Sequence, residues 1–277
     1  MRLLETLFKG GKDMRSVTGL TLLALLSPSV YAWGPEGHEI VARIAMHFVS
    51  SDVKSKISTV IGSDPDSADW AALSNWADTI RPFRTETAPW HFVDIPITRK
   101  TYQPSTDCAN DNCVVAQIVK DVQDLSSGSG SQLDAFRFLV HFTGDIHQPL
   151  HCADNNDRGG NNVHVHFHDE TTNLHRVWDS GMLDQLPEKD QLIADLVRGI
   201  TAANQAEWAA GEPKDWAVES HLLAIKPGYS LVPKRAGRSL PVLEESYEEA
   251  GDPVVEMQLQ RAGVRLAMLL TKIYGGI

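Results

Sequence analysis

Basic residues are in short supply: 25 Lys and Arg stand against 36 Asp and Glu, for a formal charge of −11 over 277 residues. That balance excludes a basic surface as the means of holding nucleic acid. Any anionic substrate must be drawn in by something local, such as bound cations. Cysteine is scarce as well. Cys108, Cys113 and Cys152 leave room for one disulfide and an odd thiol. Long apolar runs are missing, because Leu20 to Leu26 is too short to span a bilayer as a lasting anchor. No internal repeat is visible, which excludes a repeat array. What remains, 42% hydrophobic and 22% charged residues, is ordinary globular composition.

The short apolar run lies behind Lys9, Lys12 and Arg15 and ahead of Val30-Tyr31-Ala32, which meets the small-residue rule for signal-peptide cleavage. Residues 1–32 are therefore expected to be removed after Ala32, with Met14 as an alternative initiator. Trp33 would then begin a 33–277 domain in the periplasm or outside the cell. Residues 1–32 carry four basic and two acidic side chains, so the chain from Trp33 onward is more negative still, at −13. Export permits disulfides, and Cys108 and Cys113 bracket a polar loop that one could close. Cys152 follows His151 and reads as a small buried residue, with metal ligation as the alternative.

The densest chemistry lies in His141-Phe-Thr-Gly-Asp145-Ile-His147-Gln-Pro-Leu-His151. Leu133, Phe136, Leu139 and Val140 recur at helical intervals before it. His141 and Asp145 then fall four residues apart on one helix face, where both can reach one point. Pro149 ends the helix and His151 lies just beyond it. Imidazole and carboxylate at these offsets suit zinc. The competing reading is a helix end rich in His, its rings satisfied by backbone carbonyls.

Along the rest of the chain, Ile40, Val41, Ile44, Ala45 and Phe48 give a helix over 37–49 that starts near His38, with His47 structural. Ser51 reads as the N-cap of a helix through Ile61, Asp64-Pro65-Asp66 as a turn, and Trp70 to Arg81 as a helix that sets Asp78 and Arg81 three apart. Pro89 to Pro96 reads as extended, Thr98 to Asn112 as polar loop, Val114 to Leu125 as helix, and Ser126 to Ser131 as a flexible connector. Asp154 to Asn162 is a loop of turn formers. Val163 to Phe167 alternates as a strand, placing His164 and His166 on one face with His168 following; a wet strand face or a metal site would both fit. Asn173 opens a helix with His175 and Asp179 four apart. Two or three helices follow over 188–227 with Trp208 and Trp216, then a basic loop from Val232 to Leu240. Asp252-Pro253 reads as an N-cap and first-turn proline for a last helix through Ile273, with Val255, Leu259, Ala262, Leu266 and Leu269 facing the core. The expected fold is mostly α, a single helical domain with one small β-hairpin.

Side by side, Trp33-Gly34 with His38, Asn75-Trp-Ala-Asp78, Trp90-His91-Phe92, His141 to Asp145 with Gln148-Pro-Leu-His151, Gly159-Gly160-Asn161 and Leu174-His175 with Trp178-Asp179 form an ordered series. The series resembles the S1/P1 nuclease family, secreted zinc nucleases specific for single strands that share a fold with phospholipase C. The resemblance implies three Zn²⁺. Asp78, His91, His141 and Asp145 would hold the first, and His151, His175 and Asp179 the second. Trp33, through its amine and carbonyl, would hold the third with His38, Asp145 bridging it to the first. Three such ions against three aspartates would make the site about +3 inside a negative chain.

The resemblance further implies hydrolysis of phosphodiesters in single-stranded RNA and DNA to 5′-phosphorylated products, with 3′-mononucleotides also cleaved. Hydroxide at the first and third ions would attack phosphorus in line, with the second ion at the departing 3′ oxygen. Arg81 would stabilise phosphoryl charge, with a surface ion pair as the alternative. Asp94 would orient the attacking hydroxide or His91. Phe92 would stack on an unpaired base, unless it is a core aromatic beside Trp90. A monomer without a stable protein partner is expected. A zinc phospholipase C of the same fold is the runner-up, but it usually has a longer gap between its N-terminal Trp and His, and Glu in place of Asp179. A secreted zinc-binding protein without catalysis is the reading from another class.

Overall fold

The computed structural model describes residues 33–62 and 69–275. The expected signal peptide and the Asp64-Pro65-Asp66 turn lie outside the described residues. The architecture is mostly helical with a small sheet. Helix α1 (Pro35–Phe48) starts with proline at its first turn, and α2 (Ser51–Ile61) is capped by Ser50, whose hydroxyl accepts from Val53 N. The cap therefore sits one residue before the Ser51 that the sequence suggests. A 3-10 turn (Ala72–Asn75) leads into α3 (Trp76–Ile80), and a second 3-10 segment covers Thr85–His91. The short α4 (Pro104–Asp107) and a 3-10 turn (Ala109–Asp111) break up the stretch expected to be loop. Helix α5 (Val114–Ser127) ends on Gly128 in the left-handed conformation.

Helix α6 (Gln132–Asp145) is the central element. Ser131 caps it, and every residue from Phe138 to Asp145 is buried, so its C-terminal half is surrounded on all sides rather than amphipathic. The helix ends at Asp145, four residues before the expected stop at Pro149, and Pro149 opens a 3-10 turn (Pro149–Cys152). Strands β1 (His164–Phe167) and β2 (Glu170–Asn173) form the expected antiparallel hairpin, His164 opposite Asn173. A two-residue strand, β3 (Val242–Leu243), adds to β1 in parallel, giving the order β2-β1-β3. The remaining helices are α7 (Leu174–Arg176), continued by a π-helical segment Val177–Gly181, then α8 (Lys189–Gly199), α9 (Ala202–Trp208), α10 (Pro213–Leu223) and α11 (Glu245–Tyr274).

Helix α11 corrects one expectation. It begins at Glu245, not at Asp252, and Pro253 lies inside it. The first turns are held by tertiary contacts that outweigh the missing N–H: Trp178 Nε1 donates to Tyr247 Oη at 2.8 Å, and Tyr247 Oη donates to Gly228 O at 2.7 Å. Pro253 itself is exposed, which leaves the unpaired carbonyl of its turn within reach of water. Val255, Leu259, Ala262, Leu266 and Leu269 are all buried, as the period requires. α11 lies closely on α1 at Gly263, where a Cβ would come within 2.3 Å of Ile44 Cγ2. The third histidine of the dense stretch, His147, is structural. Its Nδ1 donates to Thr143 O at 2.7 Å and its Nε2 accepts from Arg265 Nη1 at 2.8 Å. Arg265 also reaches Trp208 O and Glu219 and covers the Trp216 ring, which ties α6, α9, α10 and α11 together.

Candidate metal centre

Three groups of buried His and Asp side chains come together: His38, His141 and Asp145; Asp78, His91 and His141; and His151, His175 and Asp179. Within each group the ligand atoms lie within 4.8 Å of one another. α1 supplies His38, α3 Asp78, the end of the second 3-10 segment His91, α6 His141 and Asp145, the 3-10 turn after it His151, and α7 with its π extension His175 and Asp179. The four-residue spacing of His141 and Asp145 brings Nε2 and Oδ2 to 3.3 Å, and that of His175 and Asp179 brings Nε2 and Oδ2 to 3.5 Å. Asp145 divides its oxygens: Oδ1 lies 3.5 Å from His38 Nε2, Oδ2 3.0 Å from His91 Nδ1. Its carboxylate thus stands between two of the groups. Gly144 makes room for this, because a Cβ there would lie 2.6 Å from His38 Nδ1.

The backbone fixes which ring nitrogen is free. His141 Nδ1 faces Ser74 O at 2.6 Å, His151 Nδ1 faces His91 O at 2.8 Å, and His175 Nδ1 faces Gly159 O at 2.7 Å. A carbonyl can only accept, so Nδ1 carries the proton in each and Nε2 keeps its lone pair for a ligand. Gln148 Nε2 donates to Asp179 Oδ1 at 2.5 Å and holds that carboxylate in place. Residue types gave no sign of the Ser74, His91 and Gly159 carbonyls, since any residue brings a carbonyl. Gln148 belongs to the recognised motif, but its contact with Asp179 spans 31 residues.

Several polar atoms in this centre are buried without a hydrogen-bond partner: both ring nitrogens of His38, His91 Nε2, His175 Nε2, Asp78 Oδ1 and Asp145 Oδ1. Such orphans are costly unless something satisfies them. Burial pushes Asp145 and Asp179 well above the usual carboxylate range and raises Asp78; the nearby Asp78 carboxylate raises Asp145 further. Burial lowers the histidines, His38, His91 and His151 well below 6.5, His175 to about 4, and neighbouring imidazoles push His38 and His91 further down. Neutral imidazoles beside clustered carboxyls short of positive charge are a donor set that fits divalent metal ions, which would hold the carboxylates ionised. Nitrogen and oxygen donors without thiolate are within the range zinc accepts.

Comparison with known proteins follows this geometry. The family model for S1/P1 Nuclease matches residues 33–275. The chain belongs to the S1/P1 nuclease family. Nuclease S1 of Aspergillus oryzae (strain ATCC 42149 / RIB 40) is 32% identical over 277 residues, covering 90% of this chain and 94% of that protein. Endonuclease 3 of Arabidopsis thaliana is 30% identical, covering 93% and 94%, and Nuclease P1 of Penicillium citrinum is 30% identical, covering 88% and 98%. The mostly helical fold with a small sheet agrees with membership of the S1/P1 family.

Arg81 is half-buried, with Nη1 3.6 Å from Oδ1 of Asp78, a member of one of the three groups. Phe92 is 37% exposed and is not a core aromatic, whereas Trp90 packs on Phe138 and donates to Asn112 Oδ1. Asp94 makes no hydrogen bond with His91 among the described residues. Partial desolvation and the Asp154 and Asp107 carboxylates push its pKa up to about 6. Trp33 is fully buried against Gly37, and Gly34 N donates to Asp179 O at 2.8 Å. Cys108 and Cys113 form the expected disulfide. Cys152 is buried and donates to Ile146 O. His164 and His168 are exposed and His166 half-buried, and His168 pairs with Glu248; none belongs to a metal group among the described residues. No described helix is long and apolar enough to cross a membrane.

Proposed function

We propose that residues 33–277 form an exported zinc-dependent nuclease that hydrolyses phosphodiester bonds of single-stranded RNA and DNA to 5′-phosphorylated products and also acts on 3′-mononucleotides. The observation that carries this reading is the trio of buried His/Asp groups within a chain that matches S1/P1 nuclease along its length. Relatives named nuclease and endonuclease support a nucleic-acid substrate.

Asp78, His91, His141 and Asp145 would hold one zinc, His151, His175 and Asp179 another, and Trp33 with His38 and Asp145 a third. When bound, the ions supply Lewis acidity at phosphorus and activate water near neutral pH. The chain's own residues do the rest. Arg81 directs its guanidinium at a phosphoryl oxygen, where charge develops as water attacks. Asp94, an acid at the exposed edge, orients the attacking water and takes its proton; the lack of a hydrogen bond to His91 among the described residues favours that task over steering the ring. Phe92 offers its face to a base, and only an unpaired base can stack there, which accounts for single-strand preference. The metal charge in place of Lys/Arg also explains how a chain of −11 holds a polyanion.

The test is zinc content of protein beginning at Trp33, measured together with release of acid-soluble nucleotides from single-stranded RNA, single-stranded DNA and duplex DNA. About three zincs per chain, preference for single strands and loss of hydrolysis on chelation are expected. Three zincs with cleavage of phosphatidylcholine and not of nucleic acid would replace the nuclease with the phospholipase. Less than one zinc per chain would leave no metal enzyme to discuss.

A further inference from the structure

The Asp154 to Asn162 loop brings a positive charge to the metal centre that none of the roles above uses. Its backbone is fixed from within. Asp154 Oδ1 accepts from Asp157 N at 3.1 Å and Gly159 N at 3.2 Å, and Asp157 Oδ1 accepts from Gly160 N and from Tyr229 Oη, each at 2.8 Å. Arg158 is held at φ +59°, in the left-handed region that favours glycine. Its carbonyl accepts from Asn161 Nδ2 at 2.9 Å. The next carbonyl, that of Gly159, accepts from His175 Nδ1. Arg158 is therefore one residue from a direct contact with a ring of the His151, His175 and Asp179 group.

Its side chain is exposed, and its guanidinium makes no hydrogen bond or ion pair among the described residues. Arg43, Arg84 and Arg99, by contrast, are each matched to a carboxylate. The nearest acids in sequence, Asp154 and Asp157, turn Oδ1 to the loop's own N–H groups and to Tyr229. Arg81 lies beside Asp78, and Arg158 carries the exposed cation of the loop whose next carbonyl holds His175. A single phosphate on the metals can be served by Arg81 alone. A second fixed cation fits an anion with a second phosphate, and a polynucleotide has one on the neighbouring nucleotide.

We propose that Arg158 binds the phosphate next to the scissile one and so favours polynucleotides over substrates with a single phosphate. The proposal rests on the nuclease reading. It is tested on the zinc-loaded chain from Trp33 with a dinucleotide NpN, which has the scissile phosphate alone, and a trinucleotide NpNpN, which has one more. Arg158→Gln should raise KM for NpNpN about five- to tenfold more than for NpN, the loss of one charge-assisted contact at an exposed position. For longer single strands, the slope of log affinity against log salt should become shallower by about 0.7. Arg158→Lys should restore the salt slope while recovering KM incompletely, because an ammonium lacks the planar fork. Zinc content equal to that of the unaltered chain would show that the variant has not disturbed His175. Equal rises in KM for NpN and NpNpN, or a rise for neither, would overturn the assignment. Wild-type protein that cleaves neither substrate would overturn the nuclease reading instead, which keeps the two failures apart.

Discussion

Asp145 is where the chemistry of the centre converges, because one carboxylate presents Oδ1 to His38 and Oδ2 to His91 and His141. An amide of the same shape offers one lone-pair oxygen and an N–H₂ that cannot ligate. Asp145→Asn should therefore lose the two ions it joins and keep the one at His151, His175 and Asp179. Zinc per chain should fall from about three to about one, and the hydrolysis rate by about a thousandfold. Atomic absorption on dialysed protein checks the count; three retained ions with most of the rate would refute the bridge. The buried His and Asp side chains that could hold metal are legible in the sequence, since these residue types announce their chemistry and helical spacing pairs them. The atoms that aim the rings are not. Ser74, His91 and Gly159 contribute carbonyl oxygens, and no residue type marks a carbonyl that will accept from a histidine 67, 60 or 16 residues away. Asp94 shows the same limit: its spacing from His91 does not say whether the two meet, and no hydrogen bond joins them among the described residues.

Among the elements, the helices with long apolar periods were readable because burial enforces the period. The dense motif gives Pro149 as the stop for α6, which in fact ends four residues earlier at Asp145, with Pro149 opening the next 3-10 turn. The seven-residue 3-10 segment Thr85–His91 replaces the first part of the Pro89–Pro96 stretch that reads as extended, because a 3-10 turn carries no sustained apolar period to mark it. The start of α11 went wrong for a more instructive reason. Asp-Pro is a good local helix start, yet Tyr247, anchored to Trp178 and Gly228, carries the helix back to Glu245. Asp252 then lies mid-helix, four residues from both Glu248 and Glu256. Desolvation and those two acids push its pKa up to about 6, and its Oδ1 is buried without a partner. A carboxyl whose folded pKa exceeds its unfolded value keeps its proton in the fold while the unfolded chain loses it. Stability is lost as pH rises from about 4 to about 6 and stays lost above that window. Asp252→Asn should raise Tm by about 1–2 °C at pH 7, allowing for solvent screening, with the gain gone below about pH 4. Melting curves at the two pH values decide it. An N-cap aspartate would behave in the opposite way, its replacement lowering Tm at pH 7.

For the whole molecule, the position of Trp33 would link export to activity under the proposed function. Trp33 is fully buried against Gly37, and its successor Gly34 is hydrogen-bonded to the carbonyl of Asp179, a residue of one metal group, while His38 four residues on belongs to another. The start of the described chain is thus built into the centre. If cleavage after Ala32 frees the Trp33 amine, that nitrogen becomes available as a ligand, whereas in the uncleaved chain it is an amide whose lone pair is delocalised into the peptide bond. The precursor would then bind fewer ions than the mature enzyme, and hydrolysis would be withheld until the protein had left the compartment holding the cell's own RNA. A protein with one glycine before Trp33 isolates this effect, since it changes the amine and little else. Zinc content should drop by about one ion per chain, and activity should fall with it by about a hundredfold or more. Removal of the added residue by an aminopeptidase should return both together. Full activity in the extended protein would show that the Trp33 amine is not a ligand and that signal removal does not complete the site. Loss of zinc without recovery after trimming would assign the effect to damaged packing of the Trp33 side chain instead.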